Sequence, residues 1–269
     1  MKKRNVFLRA GLAIAALTAA FIILGCFWTP YAPNAIDASA LTLPPSAAHP
    51  MGTDKFGRDI LSRVMSGAGD TLFVALGTVL IGTIVGTLVG ALTGWYGGWV
   101  DEGIMRLNDA LASFPSILIL LVLVSLLGGG RAHMTIALGV VFIPSYARIV
   151  RSEFARERTR SYVRAAELMG ASVARILFVH ILPNVRRTLL SAVTIGFNNA
   201  VLAEAAMSYL AIGVSPDEAS LGYMLAESQS MLDSAPWYAL GAGLVIVLLI
   251  LGVSLIGEGL QREGLRGRR

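Results

Sequence analysis

Six long apolar runs, separated by shorter stretches rich in charge, glycine and proline, set the rhythm of this chain. They cover Ala10–Trp28, Thr71–Thr93, Gly103–Leu127, Met134–Val150, Thr188–Ile212 and Trp237–Gly257. Crossing a bilayer core takes about 20 apolar residues in helical form. A run of that kind in lipid has to be helical, because no water is present to satisfy free backbone groups. The pattern therefore predicts six transmembrane helices. Pro115 falls inside the third run and predicts a kink there. It is the one interruption of a span that this reading recognises.

The stretch 160–184, RSYVRAAELMGASVARILFVHILPN, lies between the fourth and fifth runs and is too charged to cross. Tyr162, Ala165, Ala166, Met169, Val173, Ile176 and Leu177 fall at roughly helical spacing, while Arg164, Glu167 and Arg175 point elsewhere. The spacing predicts an amphipathic helix over 162–177, with Gly170 and Ala171 leaving a low spot in its middle. Pro183 is expected to stop it and Asn184 to begin the turn into the fifth span. Two readings are open on this pattern: a helix lying among lipid headgroups, or one that docks in a groove of a partner protein.

Composition makes the membrane assignment firm. Of 269 residues 55% are hydrophobic and 14% charged, and the mean hydropathy is +0.68; a soluble domain needs more charge to cover its surface. The +5 net charge does not point to nucleic acid, because its distribution follows the membrane. With the amino terminus inside, 18 of the 22 Lys and Arg residues fall on the cytoplasmic side, nine of them between Arg148 and Arg187. Lys55, Arg58, Arg63 and Arg131 are left outside. The stretch from Gly213 to Pro236 reads as an acidic outer loop with Asp217, Glu218, Glu227 and Asp233 and no basic residue. Positive residues stay inside, so both termini are cytoplasmic. The basic start, apolar run and Cys26 also have the shape of a cleaved signal, but the run is long for one and no soluble domain follows it. Cys26 is the only cysteine and cannot make an internal disulfide. The organisation expected is a terminus and first span (1–28), an outer segment (29–70), a core (71–260) holding a cytoplasmic loop (151–185), and a basic tail (261–269).

The spacing of AAELMG and HILPN resembles the cytoplasmic loop motif of bacterial ABC importer permeases: Ala165, Ala166, Gly170, Leu182 and Pro183 fall on the pattern. Arg164 stands where that motif has a glutamate, and His180 where it has an isoleucine. HPMGTDKFGRDILSRVMSG (49–67), GWYGGWVDEGIMRLNDALASFP (94–115) and AEAAMSYLAIGVSPDEASLGYML (203–225) are similar, in order and spacing, to the second permease subunit of peptide and nickel importers. The likeness covers about residues 45–260. It implies an all-α type I importer permease fold with a cytoplasmic coupling helix, working by alternating access. It also implies as partners a second permease, two ATP-binding subunits holding ATP and magnesium, and an extracytoplasmic binding protein. The coupling residues it implies are Arg164, Ala165, Ala166, Glu167, Gly170, Arg175, Leu182 and Pro183. The substrate class it implies is peptides or metal chelates such as nickel.

The other residues fit around that expectation. No G-x-x-x-x-G-K-[ST] phosphate loop occurs, so the chain is expected to bind no cofactor and to be no enzyme itself. In GTDKFGRD, Asp54 or Asp59 can cap the second span, and the motif reads first as a structural corner and second as a contact with the binding protein or substrate. Asp70 reads as a cap. Glu204 is the one carboxylate of the fifth span, with Asn198, Asn199 and Ser208 on the same helix. Intramembrane ionisable groups face a cavity or a partner, so these four are the candidate lining of a translocation path, against the reading that Glu204 is simply hydrated near the outer surface. His49, His133 and His180 stand apart and suggest no metal site, and the methionines read as packing. A self-sufficient secondary transporter or channel remains a rival; it predicts repeats and broken helices. An intramembrane enzyme lacks the paired groups it would need.

Overall fold

The structure, a computed structural model, describes residues 5–213 and 218–266, with side chains as far as Arg262. Asp217 therefore lies outside the described residues. The described chain is helical: α1 (Val6–Phe27), α2 (Ile60–Tyr96), α3 (Gly98–Ser113), α4 (Ser116–Leu127), α5 (Arg131–Arg158), α6 (Ser161–Leu168), the single turn α7 (Val173–Arg175), a π-helical stretch (Ile176–Ile181), α8 (Leu182–Tyr209), α9 (Leu221–Gln229) and α10 (Pro236–Arg266). Five helical segments are long and apolar enough to cross a membrane, and a sixth crossing is made if α3 and α4 count as one broken span.

That broken span corrects the expected kink. The axes of α3 and α4 differ by 93°. Pro115 offers no N–H and forces its predecessor out of the helical region; Phe114 accordingly sits at φ −84°, ψ 143°. With 12 residues, α4 reaches only about 18 Å, too short to cross alone. A second proline, Pro144, sits inside α5 without ending it, so Pro115 is not the only one in a span. Asn108 Nδ2 of α3 donates to the Pro144 carbonyl at 3.3 Å, and Arg148 donates to Asp109 at 2.7 Å, which ties α3 along the cytoplasmic half of α5.

Helix pairs approach through small residues. Gly82, Gly86, Gly90 and Gly94 recur every fourth position on α2, and all face α5. A Cβ on Gly86 would stand 2.5 Å from the Tyr146 Cβ, and one on Gly90 2.5 Å from the Ala147 carbonyl oxygen. This stripe permits the most extensive helix–helix contact of the fold. Along α1 and α10, Asn5 Nδ2 donates to the Gly259 carbonyl at 2.7 Å, and the Arg262 guanidinium stacks 4.0 Å over Phe7. The start of α1 thus lies beside the end of α10, which puts both on one side of the membrane.

Two further expectations are corrected on the outer side. The second span starts at Ile60, 11 residues early, and α2 is 37 residues long, about 55 Å; the outer segment therefore ends on a helix that projects from the bilayer. The stretch after Gly213 is not simply a loop, because α9 packs between α8 and α10. The bare Cα of Gly222 meets the Ala205 backbone so closely that any Cβ would overlap it.

Candidate coupling surface and membrane groove

The cytoplasmic insert folds as two pieces, not as one helix over 162–177. Helix α6 ends at Leu168, and Gly170 takes φ +77°. The Gly170 N–H donates to the Glu167 carbonyl at 2.9 Å and the Ala171 N–H to the Ala166 carbonyl at 3.0 Å, a paired glycine C-cap that closes the helix. Nothing lies within 4 Å of where a Gly170 Cβ would stand. Its conformation, not smoothness against a neighbour, is what the fold requires. Ser172 then caps the next turn, its Oγ accepting from the Arg175 N–H at 3.4 Å.

The chain does not stop at Pro183 either. Helix continues from Val173 to Tyr209 through the π-helical stretch Ile176–Ile181. A proline inside a helix removes a donor and crowds the carbonyl four residues back; here one wide turn precedes it, with the Leu182 N–H bonded to the Leu177 carbonyl. Asn184 Nδ2 folds back onto the His180 carbonyl at 2.7 Å.

The predicted apolar stripe divides between two faces. Val163, Ala166, Ile176 and Leu177 are buried against Ala91 and Trp95 of α2, Val150 and Phe154 of α5, and Val185 of α8. Tyr162 OH donates to Glu157 Oε2 at 3.0 Å, and burial, together with that bond, raises the phenol above its usual range. Arg164, Ala165, Glu167, Gly170, Arg175 and Pro183 are exposed, and Leu182 is half-buried. Of the expected coupling residues, Ala166 alone is fully turned inward. Leu168 and Met169, 89% and 82% exposed, stand on the free side beside Gly170. Met169 belongs to the apolar stripe expected to meet lipid or a partner, and Leu168 was not singled out; the signal was an apolar pair immediately before the capping glycine.

The four intramembrane candidates separate as well. Asn198 Nδ2 donates to Ser254 Oγ of α10 at 2.7 Å. Glu204, 2% exposed, accepts on Oε1 from Ser208 Oγ at 2.7 Å and Ser220 Oγ at 3.2 Å, which pins the segment before α9 onto α8. Asn199 is exposed and lines a groove of about 470 Å³ between α4, α5 and α8, with Ser116, Ser145 and Tyr146. Only Glu204 and Ser208 act together.

The outer corner has its own charge cluster. Asp59 caps α2, accepting from the Ser62 N–H at 2.8 Å, and His49 Nδ1 lies 2.9 Å from its other oxygen. Asp54 accepts from the Phe56 and Arg58 N–H groups and from Arg58 Nε at 2.6 Å. Arg58 and Arg63 each donate to Glu227 of α9, at 2.8 and 2.9 Å, and Tyr238 OH of α10 donates to the same carboxylate at 2.8 Å. Burial works against the charge on Arg58, but Glu227 and Asp54 hold its pKa above the ordinary value. Asp70 is not a cap: it lies within α2 and accepts from Arg131 at 2.6 Å.

Residues 86–263 match the family described as the inner membrane component of binding-protein-dependent transport systems. The chain belongs to that family. The permease is 37% identical over 265 residues to the dipeptide transport system permease protein DppC of Haemophilus influenzae, covering 96% of this chain and 90% of that one. It is 36% identical to the di/tripeptide transport system permease protein DppC of Pseudomonas aeruginosa, covering 86% of this chain and 78% of that one. Among solved structures, a chain of the MetNI methionine ABC transporter in inward-facing conformations superposes with a TM-score of 0.61 over 74% of this chain and 94% of that one, at 22% identity. The permease is thus an ABC importer permease of type I fold and a multi-pass inner membrane protein.

Proposed function

We propose that this permease is one of two paired membrane subunits that carry short peptides inward, fed by an extracytoplasmic binding protein and driven by two separate ATP-binding subunits. The chain holds no cofactor of its own; ATP and magnesium belong to the driving subunits. The peptide assignment draws on the relatives' described transport of dipeptides and tripeptides.

One observation carries the coupling role. Helix α6 has one face fixed by Val163 and Ala166 to the ends of α2, α5 and α8, while Leu168 and Met169 on its other face have no cover. Arg164, Glu167 and Arg175, close by in the chain, are exposed as well. Exposed apolar residues rimmed by charge suit a protein cleft, with the rim setting register more than affinity. The link between α5 and α6 is only Thr159 and Arg160, so a push on α6 is passed directly to spans α5 and α8.

The test is copurification with uptake. The unaltered chain should bring down ATP-binding subunits and support ATP-driven dipeptide accumulation in vesicles. Leu168→Asp with Met169→Asp should lose both while the chain still inserts in the membrane. Retention of driven uptake in that variant would remove the coupling role, and a self-sufficient carrier would bring down no ATPase at all.

A further inference from the structure

On the cytoplasmic side α8 and α10 part to leave a groove of about 460 Å³. Its inner end is shut. Asn198 Nδ2 donates to Ser254 Oγ at 2.7 Å, and one turn nearer the cytoplasm Thr194 fills the space that a Cβ on Gly257 would need. From there the walls are Leu190 and Ser191 of α8 and Leu260 of α10. The hydroxyls of Ser191 and Thr194 donate to the Arg187 and Leu190 carbonyls of their own helix, at 3.1 and 3.0 Å, so they offer no proton to an occupant. The mouth is basic. Arg187 stands one turn outward of Ser191, and Arg156 lines the groove from the end of α5. Among the described residues Arg156 makes ionic contacts through Nη2 alone, to Glu153 at 2.5 Å and Glu157 at 3.7 Å. No carboxylate is in the lining.

Depth and direction decide what such a groove fits. From Arg187 to Thr194 is about 10 Å along the helix axis, against about 15 Å for the inner half of a bilayer core. The lining is thus basic at headgroup level and mostly carbon below it. A lipid of the cytoplasmic leaflet presents its phosphate and its chains in the same order. An extended peptide in the same place would leave its backbone groups facing carbon at a cost; an acyl chain has none to satisfy. Basic pockets between membrane helices on the cytoplasmic side suit anionic headgroups.

We propose that this groove holds one anionic phospholipid of the cytoplasmic leaflet, with its phosphate between Arg156 and Arg187 and a chain along Leu190 and Leu260. The lipid ties the end of α5 to the start of α8, the two spans that flank α6, and so steadies the frame against which α6 is pushed. This binding is independent of which solute the permease carries.

The experiment uses the whole transporter, with its partner subunits, in nanodiscs of dioleoylphosphatidylcholine doped with radiolabelled dioleoylphosphatidylglycerol. A photo-crosslinker replaces Leu190, which lines the groove and is 51% exposed. It should capture phosphatidylglycerol well beyond that lipid's share of the bilayer. The excess should fall about fivefold in Arg187→Gln and about 25-fold when Arg156→Gln is added, the scale of one basic side chain at an anionic surface for each. Arg156→Lys with Arg187→Lys keeps the charge and should keep most of the excess, which separates lost charge from lost fold. Capture in proportion to the bilayer's composition, or an excess untouched by the glutamine pair or lost equally in the lysine pair, overturns the proposal. So does capture of the paired permease or an ATP-binding subunit. If inorganic phosphate at constant ionic strength abolishes the excess, the mouth takes a free anion and the lipid assignment is wrong.

Discussion

Arg63 and Glu227, 164 positions apart, are joined by an ion pair of 2.9 Å. Arg63 is 1% exposed, and its Nε and Nη1 find no other hydrogen-bond partner. Asp54, Arg58 and Tyr238 complete the cluster, which fastens the outer segment and α2 to α9 and α10. Two arginines and two carboxylates balance, so the group is neutral as a whole.

Removing one carboxylate from this cluster leaves a buried cation uncompensated, a change that typically costs about 3–5 kcal/mol. Glu227→Ala is therefore expected to lower the melting temperature of the detergent-purified permease sharply. Glu227→Gln, which keeps an acceptor for Tyr238 and one arginine, should fall between. Equal melting temperatures for all three proteins would mean that solvent already reaches the cluster.

Gly170 offers a test of conformation against space. Its φ of +77° is comfortable for glycine, tolerable for asparagine and poor for β-branched residues, whereas no atom stands near its missing Cβ. Driven uptake should follow the order glycine, asparagine, alanine, valine, with Gly170→Ala costing the α6 cap about 1 kcal/mol. An order set by side-chain size, with alanine above asparagine, would show that a close neighbour in the assembled transporter is the real constraint.

How much of this was legible in the chain differs from residue to residue. The spans were, since 20-residue apolar runs leave lipid as the only solvent that suits them. Gly170 stood out in the chain as a low spot on the predicted helix, whereas the left-handed cap it forms was not read there. The three prolines show the limit of local reading. Pro115 breaks a span, Pro144 is absorbed inside α5, and Pro183 is preceded by a π-turn; the outcome depends on what packs beside each, which a lone chain does not display. Glu227 read as one acid in an outer loop because its two arginines lie far away in sequence. Asn198 and Asn199 are adjacent, yet about 100° of helical rotation sends one to Ser254 and the other to the groove.

Glycines on α2 and α3 make opposite predictions from the same substitution. Glycine to alanine in a helix gains about 1 kcal/mol in propensity. At Gly103 nothing lies within 4 Å of the new methyl, so Gly103→Ala should raise the thermal stability of the purified chain slightly. At Gly90 the methyl would meet the Ala147 carbonyl oxygen at 2.5 Å and the Val150 Cβ at 2.8 Å. Overpacking of that kind costs about 1–3 kcal/mol, so Gly90→Ala should lower stability. If both variants shift the melting temperature the same way, α2 and α5 are not as closely packed as their glycine stripe implies.

Glu204 holds the segment before α9 through two serine hydroxyls, and it lines a cavity of about 20 Å³ with Asp70, Arg131 and Ser220. A cavity of that size admits about one water. What the segment needs from Glu204 is an acceptor for Ser208 and Ser220, not its charge. Glu204→Gln keeps a carbonyl in place and should retain near-normal stability and uptake. Glu204→Leu strands both hydroxyls in an apolar setting, at about 1–3 kcal/mol for each buried group left unpaired, and should free the segment. Proteolysis of the outer face of membrane vesicles would register this as faster cleavage between α8 and α9 in the leucine variant alone. Equal cleavage in both variants, with uptake lost in both, would instead assign the carboxylate's charge a direct part in moving the substrate.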